Sequence, residues 1–220
     1  MLWQWLGTVP FEQADRLNQQ DMLATQRDGL PRLLAFEPAA PALTYGLRPD
    51  ALAQCGMSAE QLDQRGIVAL AVRRGGQATL HLPGQLVVLV ALRVGPAGVR
   101  ALVCQLLGVT QAVATTFGTP AVLRADHDAG LWVGSGLNPA KLSAIGLHVA
   151  HGVAGHGLAL NVAVDPAATS GLTLCGHADA RYASLAPVGT LAVAAVAAAW
   201  HAQWLAAGCA ATPQGQCETL

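Results

Sequence analysis

Cys175 and Lys141 are the two residues of this chain best suited to making and breaking bonds at a carbonyl carbon. Cys175 stands in Leu-Thr-Leu-Cys-Gly-His, where Gly176 leaves room at the sulfur and lets its backbone N–H point at a reacting carbonyl. A lone thiol with a base elsewhere in the sequence becomes a nucleophile once something lowers its pKa. The competing reading is an inert buried cysteine, which suits Cys104 and Cys209 better. Lys141 is the only lysine; every other cation is an arginine. Set in Pro-Ala-Lys-Leu-Ser-Ala-Ile-Gly, it can trade protons as arginine cannot, unless it is an ordinary solvated surface lysine.

A third stretch is built to hold a ligand rather than to react. Residues 73 to 85 run Arg-Arg-Gly-Gly-Gln-Ala-Thr-Leu-His-Leu-Pro-Gly-Gln, two cations entering a glycine pair whose backbone permits positive φ and close approach. Apolar runs at Ile67 to Val72 and Leu86 to Leu92 flank it, so it reads as a loop capping two buried strands. His81 and His156 are candidates for lining a pocket. His148, His151 and His156 make no metal site, for no carboxylate or cysteine lies at ligand spacing. Gly134 to Lys141 lacks the Gly-Lys-Ser/Thr of a phosphate loop, so no nucleotide is inferred.

The elements that must position these residues follow from periodicity and punctuation. Leu2 to Leu6 reads as a strand, and Thr8 with Pro10 starts a helix to about Asp28 whose inner face is Phe11, Ala14, Leu17 and Met22. Leu33 to Phe36 and Ala42 to Tyr45 read as strands, and Ser58 to Gln61 has capping-box spacing for a short helix ending at Gly66. Pro96 opens a helix to about Thr115; short strands follow near Ala121 to Arg124 and Leu131 to Val133. Lys141 to Val164 suggests one or two long strands, Asp165-Pro166 a turn or short helix, and Val188 to Ala206 a closing helix. Strands grouped in the middle, with helices at the ends and between them, predict an α+β domain, with residues 1–220 forming one unit.

Composition narrows the class of function. Hydrophobic residues make up 53 % and charged residues 11 %, which excludes disorder, and a formal net charge of -1 gives no reason to expect nucleic acid. Cys55, Cys104, Cys175, Cys209 and Cys217 are odd in number and widely spaced, so reduced thiols in the cytoplasm are expected rather than a disulfide framework or zinc site. Glu12, Asp15 and Arg16 interrupt what would be a signal peptide. Val188 to Ala211 is the most membrane-like segment, but its Ala-rich run with His201 and Gln203 reads better as a packed helix, so no membrane partner is expected.

Four segments in order resemble the bacterial octanoyltransferase (lipoyl(octanoyl) transferase) family of the lipoate/biotin protein ligase superfamily. They are Arg74-Gly-Gly-Gln-Ala-Thr-Leu-His81 with Pro83-Gly84-Gln85, Lys141-Leu-Ser-Ala-Ile-Gly146, His156-Gly-Leu-Ala-Leu-Asn161, and Cys175-Gly176; a weaker similarity, such as Leu43 to Arg48, extends across most of the chain. The resemblance implies the lipoate/biotin ligase-like α+β fold, a mixed sheet packed against helices. It implies transfer of an octanoyl group from octanoyl-acyl carrier protein, through a thioester on Cys175, to a lysine of the lipoyl domains of 2-oxoacid dehydrogenases or of the glycine cleavage H protein. Lys141 corresponds to the partner that lowers the thiol pKa and shuttles the proton. Arg74, Gly75, Gly76, Gln77, Ala78, Thr79, Leu80 and His81, with Ala144, Ile145, Gly146, Gly157, Leu158 and Ala159, match the segments that hold the acyl substrate. No cofactor and no metal are implied.

The chemistry of the residues agrees. Exchanging one thioester for another is nearly neutral and attack by an amine is downhill, so no ATP is needed. Leu80, Leu82, Ile145 and Leu158 are candidates to surround the eight-carbon chain. The chain departs from the family pattern at Leu82 for glycine, Leu89 for tyrosine and Leu174 for proline, and Phe36-Glu-Pro-Ala lacks the common Glu-His-Pro-Pro; acyl-length preference is what these changes touch. Three alternatives remain: an ATP-dependent lipoate ligase, which would carry Ser-Gly-Gly-Gly and an aspartate after the histidine, where here Gln77 follows Gly76 and Leu82 follows His81; an amidotransferase between carrier proteins; and a silent carrier-binding homologue.

Overall fold

The computed structural model describes residues 1–47, 51–74, 78–124, 129–134, 139–173 and 181–208. Its frame is a seven-stranded mixed sheet. In chain order the elements are β1 (Leu2–Val9), α1 (Phe11–Asp28), β2 (Arg32–Pro38), β3 (Ala42–Tyr45), α2 (Ala59–Gln64), β4 (Val68–Ala71), β5 (Thr79–His81), β6 (Gln85–Arg93), α3 (Gly98–Thr116), β7 (Val122–Arg124), β8 (Gly130–Val133), β9 (Ala140–Ala150), β10 (Val153–Asn161) and α4 (Val193–Ala206). The large sheet runs β1-β2-β6-β10-β9-β8-β7, and β4-β3-β5 form a second, small sheet. Among the named strands of the described residues, β1 with β2 and β3 with β4 pair in parallel, and Lys141 makes an isolated parallel bridge with Tyr182. The α+β expectation holds.

β6 is central and covered on both faces, which is why its sequence is an unbroken apolar run. Leu86, Val88, Val90 and Leu92 join the core under α3 and α4, where Trp200 Nε1 donates to Thr110 Oγ1 at 2.9 Å. Val87 and Leu89 point the other way, toward Phe11 and Ala14 of α1. α1 is latched to that face by polar groups as well. Asn18 donates to the Val90 carbonyl and accepts from the His156 N–H, both at 2.9 Å. β9 and β10 join through His151 and Gly152, both at positive φ, the conformation a two-residue hairpin of this twist demands.

Four expectations need correction. Thr8 does not cap α1: Pro10 is the N-cap residue and the Thr8 hydroxyl faces Glu37 at 3.5 Å. The stretch 73–85 is not simply a loop capping two buried strands, for β4 before it is partly exposed. The stretch contains β5, which pairs antiparallel with β3, so the flanking apolar runs belong to different sheets. The closing helix starts at Val193 rather than Val188, and among the described residues the helix long and apolar enough to cross a membrane is α3, whose inner face packs in the core. Cys55 is a free, buried thiol, but Cys104 is disulfide-bonded, against the expectation of reduced thiols throughout. The capping box came out as read: Ser58 Oγ accepts from the Gln61 N–H and Gln61 Oε1 from the Ser58 N–H.

Candidate active site

A pocket holding about 320 Å³ of empty space, open solvent included, lies where the α1 face of the large sheet meets β5. On β5 and β6 the alternation of side chains decides what lines it, whereas β9 and β10 each contribute consecutive residues. On β5, Thr79 and His81 face the pocket, whereas Ala78 and Leu80 turn into a satellite core with Leu43, Leu62 and Leu82. β9 contributes Ala144, Ile145 and Gly146, and β10 contributes His156, Gly157, Leu158 and Ala159. Phe11, Val87 and Leu89 complete an apolar wall. A Cβ at Gly157 would run into the Val88 carbonyl oxygen, so glycine lets β10 and β6 lie close at the pocket floor.

The polar side of the pocket is tied together through Thr44 on β3. Arg74 Nη2 donates to the Thr44 carbonyl at 2.8 Å, to Thr44 Oγ1 at 2.9 Å and to Thr79 Oγ1 at 3.0 Å. Thr44 Oγ1 lies 3.1 Å from His81 Nε2, and the His81 ring packs on Phe11 at 4.4 Å between centroids. Burial, and secondly the Arg74 charge, push the His81 pKa down to about 3; the same two causes push His156 down to about 4. Both rings are therefore neutral near pH 7. Asp15 Oδ1 stands 3.7 Å from His156 Nδ1, beyond a hydrogen bond, and burial raises the Asp15 pKa.

Lys141 enters β9 three residues before the pocket wall and is buried, at 5 % exposure. Its backbone is fixed from three directions. Its N–H donates to the Arg181 carbonyl at 2.8 Å, and its carbonyl accepts from the Ala183 N–H and from Asn161 Nδ2, each at 3.0 Å. Asn161 Oδ1 in turn accepts from Gln85 Nε2 at 2.8 Å, and that amide also donates to the Leu80 carbonyl at 3.2 Å. A satisfied, buried amide pair thus links the lysine strand to the strand that carries His81. Nζ lies over the Trp132 ring, 4.6 Å from its centroid.

The structure therefore brings together Arg74, Thr79, His81, Ala144, Ile145, Gly146, Gly157, Leu158 and Ala159 around one cavity, with Lys141 on the same strand as part of its wall. Ala78 and Leu80 back that cavity from behind, and Leu82 packs with them rather than against the cavity. Cys175, Gly176, Gly75, Gly76 and Gln77 lie outside the described residues. No group of three or more metal-ligating side chains occurs among the described residues. Reading the sequence missed Phe11, Thr44 and Val87 as parts of the site, and met Leu89 only as a departure from the family's tyrosine. Phe11 and Val87 carry no signal beyond their apolar periodicity, and Thr44 becomes visible only once β3 pairs with β5.

The model of the lipoyl protein ligase A/B catalytic domain matches residues 12–204. An octanoyltransferase of Maridesulfovibrio salexigens is 33 % identical over 82 % of this chain and 82 % of its own length, and one of Hyphomonas neptunium 34 % identical over 83 % and 79 %. The chain belongs to this family, among the octanoyltransferases. The fold agrees. A lipoate-protein ligase A crystallised with ATP superposes with a TM-score of 0.73 at 14 % identity, covering 98 % of this chain and 89 % of the other. The bipartite lipoate protein ligase of Thermoplasma acidophilum gives 0.70 at 14 %, covering 97 % and 85 %.

Proposed function

We propose that the chain moves an octanoyl group from octanoyl-acyl carrier protein to a lysine of a lipoyl domain, by way of a thioester on Cys175. The observation that carries this is the pocket on β9: a cavity with an apolar wall and a polar side at Arg74, Thr79 and His81, on the strand that also buries the only lysine of the chain. An apolar wall with a polar group at one side suits an aliphatic chain with one polar head.

In the first step the Cys175 thiolate attacks the octanoyl carbonyl carbon. The tetrahedral oxyanion collapses with loss of the carrier thiolate, which takes a proton from the Lys141 ammonium. In the second, the acceptor amine attacks the Cys175 thioester. The Cys175 thiolate leaves, and the proton lost by nitrogen goes to the now neutral Lys141, which restores the starting state. Lipoyl domains of 2-oxoacid dehydrogenases and the glycine cleavage H protein are the acceptors in this reading. A cytoplasmic setting belongs to it too; the disulfide at Cys104 is the feature that fits it least.

The test is to incubate the protein with octanoyl-acyl carrier protein without ATP and weigh it intact. A gain of one octanoyl group, missing in Cys175→Ser and discharged by an added lipoyl domain, is the expected result. No adduct, with lipoylation appearing only when ATP and free lipoate are supplied, would overturn it in favour of a ligase.

A further inference from the structure

Trp132 and Lys141 are direct cross-strand partners, β8 to β9, next to an irregularity in register between Leu131 and Trp132. Both side chains are 5 % exposed. Cross-strand partners of this kind stand on the same face of a sheet, and here the lysine stem lies along β8 with Nζ above the indole. Gly130 supplies the space, since a Cβ there would come to 3.3 Å from Lys141 Cε and would meet the Ser143 carbonyl oxygen. An indole face attracts an ammonium through its quadrupole, more strongly where water is excluded, and has no such attraction for a neutral amine.

We propose that Trp132 is a positioning residue for acyl transfer: its ring seats the Lys141 ammonium and lets go of the amine once the proton has been passed on. The inference rests on the reading of Lys141 as the proton carrier for Cys175. The ring makes and breaks no bond; it localises the charged Nζ before the first step and recaptures it after the second. Among the described residues, the other titratable or charged groups on the segments packed against Lys141 are Arg181, which is exposed, Tyr182, whose hydroxyl donates to the Leu80 carbonyl at 3.1 Å, and the buried His156 on β10. Cys175 lies outside the described residues.

Because Lys141 is the only lysine, isotope-labelled lysine gives the signals of that residue alone. The expected result in the wild-type protein is Lys141 Cε and Hε resonances displaced upfield by the indole ring current. The displacement disappears in Trp132→Leu and partly survives in Trp132→Phe. In parallel, kcat for octanoyl transfer falls roughly tenfold in Trp132→Leu with KM for the octanoyl carrier almost unchanged, and Trp132→Phe recovers most of it, as expected for an attraction worth about 1–2 kcal/mol. Undisplaced Lys141 signals in the wild-type protein would overturn the inference, as would a displaced signal joined to an unchanged kcat in Trp132→Leu. If Trp132→Leu does not fold, Trp132→Phe and the wild-type spectrum still decide it. Absence of any transfer by the wild-type protein would instead overturn the functional reading beneath it.

Discussion

At its first residues β9 is fixed from every side. The Lys141 backbone has three hydrogen bonds to other segments, its stem fills the space left by Gly130, and its Nζ sits on Trp132. Three residues further on, Ala144, Ile145 and Gly146 are only partly buried, with small or aliphatic side chains and no side-chain hydrogen bonds to give. One strand thus holds the residue proposed as proton carrier firmly at its start and offers a compliant apolar wall at its middle. That is the division a group-transfer site needs, because proton transfer depends on geometry to within a fraction of an ångström, whereas a methylene chain is bound by area.

The sharpest way to break the comparison is at its rigid end. Lys141→Arg keeps the charge and much of the stem but cannot release a proton at working pH. Transfer from octanoyl-acyl carrier protein to a lipoyl domain is expected to drop by about 10²–10⁴-fold, the usual worth of a positioned acid–base group. A variant within tenfold of the wild-type rate would show that Lys141 acts through its charge alone.

Next in size is the support beneath that residue. Asn161→Ala leaves the Lys141 carbonyl without its side-chain donor and Gln85 Nε2 without its shortest acceptor, in a site where Asn161 is 3 % exposed. A loss of about 2–4 kcal/mol in unfolding free energy is expected from two weakened buried polar groups, read by denaturant unfolding, together with a lower kcat. A loss below 1 kcal/mol would mean that the amide pair does not tie β9 to β5.

The pocket end is sensitive to acid instead. His81 and His156 are held neutral in the fold, with pKa values of about 3 and about 4 against an ordinary value near 6.5. Unfolded chains bind protons at these rings between those limits and the folded protein does not, so their contribution to stability is complete above about pH 6.5 and is lost progressively as pH falls toward 4. Asp15, whose pKa burial raises, works in the opposite direction and offsets part of the loss at the acid end. The melting temperature should therefore fall between pH 6.5 and 4.5. The fall should be shallower in His156→Gln, and equal slopes in the two proteins would remove His156 from the explanation.

How much of this was legible depends on how local each determinant is. The Ser58–Gln61 capping box, the doubly buried run of β6 and the extent of α1 were readable because each is set by residues a few positions apart. The three-residue strand β5 was not, since its partner β3 lies some thirty-five residues earlier and nothing in Thr-Leu-His announces a pairing. For the same reason Thr44 passed as an ordinary strand residue. Asn18 and Asn161, buried for the sake of contacts 72 and 20 residues away, were invisible to a reading that places polar residues outside. The stretch 73–85, with His81 and His156, stood out by residue type, and the remaining pocket segments by family likeness, none of them by periodicity. What periodicity supplies afterwards is the reason that Thr79 and His81 line the cavity while Ala78 and Leu80 do not.

The smallest expected effect lies in the compliant wall. Leu89 faces the pocket from β6, opposite Gly157 in the ladder, and packs with Phe11. Leu89→Ala removes aliphatic volume without touching the Arg74–Thr44–His81 connections. The enlarged cavity should accept a decanoyl group more readily, with the ratio of kcat/KM for decanoyl over octanoyl carrier rising roughly tenfold, about what one or two methylenes are worth in an apolar pocket. Because Lys141 and its supports lie at the start of β9, apart from the wall at its middle, kcat for the octanoyl carrier itself should stay within a few-fold of wild type. If length preference is unmoved while kcat collapses, the wall is not compliant, and the two parts of the strand are coupled rather than separate.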